Sequence, residues 1–116
     1  MKPLLTSAVF AASLLALSSY GHAAGMLTDA KGMTLYTFDN DTKGTSSCYD
    51  ACAKNWPPYL VKEGKETGSE WTQAKRKDGS EQWVYDGKPL YYFIQDKKKG
   101  DAKGEGLKGV WHTVME

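Results

Sequence analysis

The sequence predicts an all-β fold, mainly an antiparallel β-meander with one short helical turn, built as two related halves. Three observations lead there: a segment repeated at a fixed offset, two-residue alternation within each copy, and tight-turn dipeptides between the alternating runs. Residues 35–41 read LYTFDND and residues 90–96 read LYYFIQD. One offset of 55 pairs Leu35 with Leu90, Tyr36 with Tyr91, Phe38 with Phe93 and Asp41 with Asp96, and it carries on to Gly32 with Gly87 and Trp56 with Trp111. Self-similarity at a fixed offset marks a duplicated structural unit, and two copies are too few for a solenoid. The two copies, about 26–60 and 81–115, are therefore expected to fold into one domain spanning 24–116, joined by a loop and a hairpin.

In chain order, Asp29-Ala30-Lys31-Gly32 is a turn signal ahead of the first strand. In that strand Tyr36 and Phe38 share one face. Ser47, Cys48, Tyr49 and Asp50 resemble a capping box with Asp in place of Glu, so a helical turn is expected over Ala51–Lys54. Pro57-Pro58 stops it. Residues 62–69 are rich in Gly and Lys and read as an exposed loop. Trp71–Lys75, Glu81–Tyr85 and Leu90–Ile94 read as three strands separated by Asp78-Gly79 and Asp86-Gly87. In the third, Tyr91 and Phe93 share a face, while Leu90, Tyr92 and Ile94 make the opposite face apolar too. A central strand covered on both sides carries that pattern. Residues 97–108 form a second Gly- and Lys-rich loop, and Gly109–Met115 closes the chain as an alternating strand.

The N-terminus predicts export. Lys2 precedes the uncharged apolar run Leu4–Leu17, and Gly21 and Ala23 are small residues at the −3 and −1 positions of a cleavage site. That run is shorter than the roughly 20 apolar residues a membrane span needs, so residues 1–23 are expected to be a signal peptide. Their loss removes one of the 15 basic side chains and none of the 14 acidic ones. The remainder carries a net formal charge of zero, 14 basic against 14 acidic side chains, which argues against a nucleic-acid partner and against a polybasic membrane-surface protein. The mature protein is expected to be periplasmic or secreted, without a membrane anchor.

Both cysteines, Cys48 and Cys52, lie in the exported part, where disulfides persist. A bridge is expected between them, with Cys48 at the edge of the helical turn. Four residues apart on an ideal helix they would sit about 6 Å apart, near the upper end of disulfide Cα separations. The loop is too short for much chain-entropy stabilisation, so the bridge fixes local shape.

Catalysis finds little support. His112 is the one histidine after the leader, and no nucleophile motif accompanies it. Asp41 and Asp96 could act as paired carboxylates. Each occupies the same place in its own copy, so a duplicated structural role, accepting hydrogen bonds from downstream amides, explains both. Asp39, Asp41 and Gly44 match positions 1, 3 and 6 of a calcium loop, but Lys43 stands at position 5 and Asp50 at position 12. No cofactor is expected. Twelve aromatic side chains follow the leader: 4 Trp, six of the 7 Tyr and two of the 3 Phe. Most must form the core, and a surplus could make an exposed platform for a glycan or an envelope protein.

The doubled Tyr-x-Phe-x-x-Asp pattern, the Cys48-Tyr49-Asp50-Ala51-Cys52 segment and Asn55-Trp56-Pro57-Pro58 together resemble the secreted-repeat family. Its members are described as predicted bacterial lipoproteins with a conserved Tyr-x-aromatic-x-x-Asp motif. The resemblance spans about residues 26–115. It implies an exported bacterial protein, often with tandem copies of the unit, and no established activity or catalytic residues. The chain lacks a cysteine at the signal cleavage site, so the resemblance does not extend to lipid anchoring. The expected function is that of a small non-enzymatic envelope protein, a binding or interaction module. The alternative is a redox or metal-handling accessory protein acting through Cys48 and Cys52.

Overall fold

A computed structural model describes residues 25–116; the expected signal peptide lies outside the described residues. The elements are strand β1 (Tyr36–Phe38), helix α1 (Ala51–Asn55), strands β2 (Trp71–Lys75), β3 (Glu81–Tyr85), β4 (Lys88–Pro89) and β5 (Trp111–Thr113), with 3₁₀ turns at Val61–Glu63 and Leu107–Gly109. They form two antiparallel sheets, β1–β5 and β2–β3–β4. The all-β class, the meander and the short helix agree with the expectation. None of the described helices is long and apolar enough to cross a membrane.

The third strand departs from it. Only Lys88–Pro89 pairs regularly with β3, and Leu90–Ile94 is held by single bridges, Tyr91 to Tyr36 on one side and to Pro58 on the other. The physical reason is the Pro57-Pro58 pair. Tyr92 N–H donates to the Pro57 carbonyl (2.7 Å) and Ile94 N–H to the Asn55 carbonyl (2.9 Å), yet neither proline has an N–H to return. At the positions equivalent by the repeat offset stand His112 and Thr113, which do have N–H groups, and there β1 and β5 form a regular ladder. The closing strand is correspondingly shorter than Gly109–Met115. Ile94 is 48% exposed, so the far face of this segment is covered only at Leu90 and Tyr92.

The helix start also differs. Asp50 is the N-cap, with φ 55° and no side-chain cap. The expected capping box does not form, because Ser47 is engaged elsewhere: its amide (2.8 Å) and hydroxyl (2.9 Å) both donate to Asp41 Oδ1. Cys48 precedes the helix and bridges to Cys52 with a Cα separation of 5.2 Å, comfortable for a disulfide.

The central segments separate two cores. On one face lie Tyr36, Cys48, Trp56, Tyr91, Phe93 and Trp111, with Phe38 packed against them. On the other lie Leu27, Leu35, Tyr59, Trp83 and Leu90. Four rings of the first core stack in the order Phe93, Trp56, Trp111, Phe38, with centroid separations of 4.1, 3.8 and 4.1 Å. Tyr36 meets Trp56 edge-on at 5.2 Å, and Tyr91 meets Trp111 edge-on at 5.3 Å. Trp56 faces its repeat partner Trp111 at the centre of the stack and the equivalent Phe93 and Phe38 cap its two ends, so the two copies are related by a pseudo-two-fold axis between Trp56 and Trp111. Pairs of this kind add about 0.5–1.5 kcal/mol each beyond the area they bury.

Gly104 closes the stack from the side. A Cβ there would stand 2.5 Å from Trp56 Cη2 and 3.1 Å from Phe93 Cδ2. Gly104→Ala is expected to lower stability by about 1–3 kcal/mol through overpacking, and Trp56→Ala or Trp111→Ala by about 3–5 kcal/mol. Urea unfolding followed by far-UV circular dichroism checks all three. A neutral Gly104→Ala would show that the stack is not tightly enclosed.

Candidate functional site

The motif residues meet across the copies. Tyr36 and Tyr91 exchange backbone hydrogen bonds, N–H to carbonyl in both directions at 2.8 and 2.9 Å. Their hydroxyls then cross over: Tyr36 Oη donates to Asp96 Oδ2 (2.6 Å), and Tyr91 Oη donates to Asp41 Oδ2 (2.7 Å). The second oxygen of each carboxylate holds a loop. Asp96 Oδ1 accepts the Lys103 amide (2.9 Å) and Asp41 Oδ1 accepts the Ser47 amide and hydroxyl. Each carboxylate therefore takes a downstream amide of its own copy and a tyrosine hydroxyl of the opposite copy. Burial, then the bond to Asp96, pushes the Tyr36 hydroxyl far above the ordinary phenol range. Burial does the same to Tyr91. Both hydroxyls are therefore fixed as neutral donors.

An acceptor of this kind is ordinarily expected to sit below the usual carboxylate range. Asp41 does the reverse. Its half-buried carboxyl is raised, because burial outweighs the bonds from Tyr91 and Ser47 and the attraction of Arg76. The two aspartates do not converge on a common point: each answers the tyrosine of the other copy. Asp39 turns a different way again, with Oδ2 at 2.9 Å from His112 Nε2. On the other side of that imidazole Glu105 Oε2 stands 4.0 Å from Nδ1. Glu105 Oε1 holds the Thr113 amide and hydroxyl, both at 2.7 Å, and the amide first, then the hydroxyl, keeps this carboxyl below its usual range. Among the described residues no three His, Cys, Asp or Glu side chains converge as a metal site would require, and no serine or cysteine hydrogen-bonds to His112. His112 is thus oriented by Asp39.

Arg76 is a buried polar centre that no motif marked. It is 6% exposed. Nη1 donates to Gln82 Oε1 (2.8 Å) and Ser46 Oγ (3.0 Å), Nη2 to the Cys48 carbonyl (2.8 Å), and the guanidinium lies over the Tyr49 ring at 4.3 Å. The fork-shaped donor set of arginine suits such a site where lysine would leave groups unpaired. The one available signal was that this is the chain's sole arginine among fourteen lysines.

None of the twelve aromatic rings is exposed; Trp56 and Trp111 are 5% and 3% accessible. Seven of the twelve are buried, and Phe38, Tyr49, Trp71, Tyr85 and Tyr92 are partly buried, all but Tyr49 packed against one of the two cores. What the rings do provide is the floor of a cleft of about 520 Å³ over the pseudo-two-fold axis. Its lining residues correspond by the repeat offset: Phe38 with Phe93, Trp56 with Trp111, Asn40 with Gln95, and Cys52 with Leu107. Asn55 adds a third amide, and Lys108 is the one charged side chain in the lining.

A family model described as a secreted repeat of unknown function matches residues 22–59 and again residues 72–115. No curated protein and no solved structure matches the chain.

The raised Asp41 has a defined effect on stability. A carboxyl whose folded pKa exceeds its unfolded value binds a proton more tightly in the native state. Its contribution therefore falls as pH rises from the unfolded pKa, about 3.9, through the folded one. Asp41→Asn does not titrate. The difference in melting temperature, variant minus parent, is expected to increase as pH rises through this window in a calorimetric pH series. A difference that decreases instead would mean that the hydrogen bonds outweigh burial.

Proposed function

The chain belongs to this family of secreted repeats, and from that premise we propose that it is a non-enzymatic binding module of the periplasm or cell surface. Its ligand is an N-acetylated, acidic saccharide of the envelope, taken in the cleft over the pseudo-two-fold axis. The observation that carries this reading is the cleft lining: aromatic edges, three amides and one lysine, with no carboxylate among them. Apolar walls with a few convergent polar groups are what small-ligand sites are made of. Primary amides pair in both directions with an acetamido group, and Lys108 offers a charge to a carboxylate. The other polar groups of the motif are committed: Asp41 and Asp96 to tyrosines, Asp39 to His112. A redox role through the disulfide has less support, since Cys48 is fully buried, although Cys52 lines the cleft.

Titration of the purified protein with a soluble muramyl disaccharide-peptide tests it, read by indole fluorescence and by calorimetry. Saturable binding is expected, weakened roughly tenfold (about 1.4 kcal/mol) by Lys108→Glu or by Asn40→Ala with Gln95→Ala. No heat and no fluorescence change at millimolar ligand would overturn the saccharide reading.

A further inference from the structure

The closing segment of each copy does not pair with its own copy. Residues 111–115 of the second copy lie along the first: β5 pairs with β1, Leu27 N–H donates to the Val114 carbonyl (2.7 Å), and Met26 bridges Met115. Residues 55–60 of the first copy lie along the second. Tyr59 N–H donates to the Leu90 carbonyl (2.9 Å), Trp83 N–H to the Tyr59 carbonyl (2.8 Å), and Leu60 bridges Gln82. The crossed Tyr–Asp bonds and the interleaved ring stack add to the same exchange. Each copy therefore leaves a strand site that only the other copy fills, and neither buries its aromatic face alone. The two are covalently joined by a narrow exposed stretch, residues 67–70. Ahead of it Glu66 is anchored by the Tyr59 hydroxyl (2.7 Å), and behind it β2 begins.

We propose that the partner of this chain is a second copy of itself, in an exchanged dimer. Residues 71–116 of each chain complete residues 25–66 of the other, and residues 67–70 act as the hinge. Every contact between the two halves is remade between chains and every contact within a half is kept, so the two forms differ only in the hinge and in the entropy of association, the condition under which exchange of identical elements is a low-cost route to dimers. Such a dimer carries two clefts, each built from both chains, and presents them together to a polymeric ligand.

The test refolds the full chain at millimolar and at micromolar concentration and separates the products by size with light scattering. A dimer that persists on dilution is expected at high concentration. With a protease site inserted between Gly68 and Ser69, cleavage of that dimer is expected to halve its mass, since each complementary pair of halves is monomer-sized. A dimer formed through an outer surface would keep its mass, and monomer alone at both concentrations would equally overturn the proposal. The variant Thr37→Cys with His112→Cys needs no insertion, because these residues face each other between β1 and β5. Oxidised dimer fractions are expected to run as covalent dimers on a non-reducing gel, and a gel showing only monomer would sink the exchange. Saccharide binding by the monomer is measured separately, so failure of the cleft reading and failure of the exchange are distinguishable.

Discussion

The reciprocal pairing of Tyr36 and Tyr91 is the interaction on which the rest of the structure depends. These two residues share the pseudo-two-fold axis and satisfy each other's backbone N–H and carbonyl. Their rings go into the common core and their hydroxyls reach the aspartate of the opposite copy. One residue type thus sets the strand pairing, fills the interior and pins a loop. Each buried hydroxyl needs a partner, and a charged acceptor makes that bond worth about 1.5–3 kcal/mol. Displacing either tyrosine disturbs both halves together.

A stack of rings takes the place of an aliphatic core. The domain is small, and flat rings at 3.8–4.1 Å fill the core on one face of the central segments with large buried areas and few rotatable bonds. The same geometry makes tolerance low. Gly104 touches ring edges of Trp56 and Phe93 and gives its amide to the Tyr36 hydroxyl at 3.1 Å, so both the space and the polar group at this point are already used. The cleft exists because the stack ends at the surface, with its edges outward and loops from both copies as rims.

The two copies have diverged where symmetry does not constrain them. The first holds its loop with a disulfide and a buried Arg76, which ties the Cys48 carbonyl to Gln82 and, through Gln82 Nε2, to the Leu90 carbonyl at 2.7 Å. The second holds the corresponding loop through Asp96, with Asp101 Oδ2 accepting the amides of Lys97 and Lys98. Prolines at 57 and 58 reduce one ladder to single bridges while its counterpart stays regular. A common frame therefore carries two different loop designs, and this asymmetry gives the cleft Cys52 on one side and Leu107 on the other.

The sequence by itself determined the duplication, the β class, the turns and the Cys48–Cys52 bridge. These are local matters: a fixed offset, a two-residue period, glycines where backbone φ is positive, and cysteines within reach of each other. It also marked Tyr36, Phe38, Asp41 and their partners as equivalent. Only the tertiary structure decided that each copy completes the other, since pairing between residues far apart in the chain, such as Tyr36 with Thr113 and Leu60 with Gln82, leaves no trace in local pattern. It likewise decided that Asp41 is raised rather than lowered, because burial is a property of everything packed around the carboxyl. The role of Arg76 was hidden for the same reason: the Cys48 carbonyl and the Ser46 hydroxyl it satisfies come from a segment far from it in the chain. Periodicity reports which face of a strand is apolar, and only the assembled fold reports which other segment covers it.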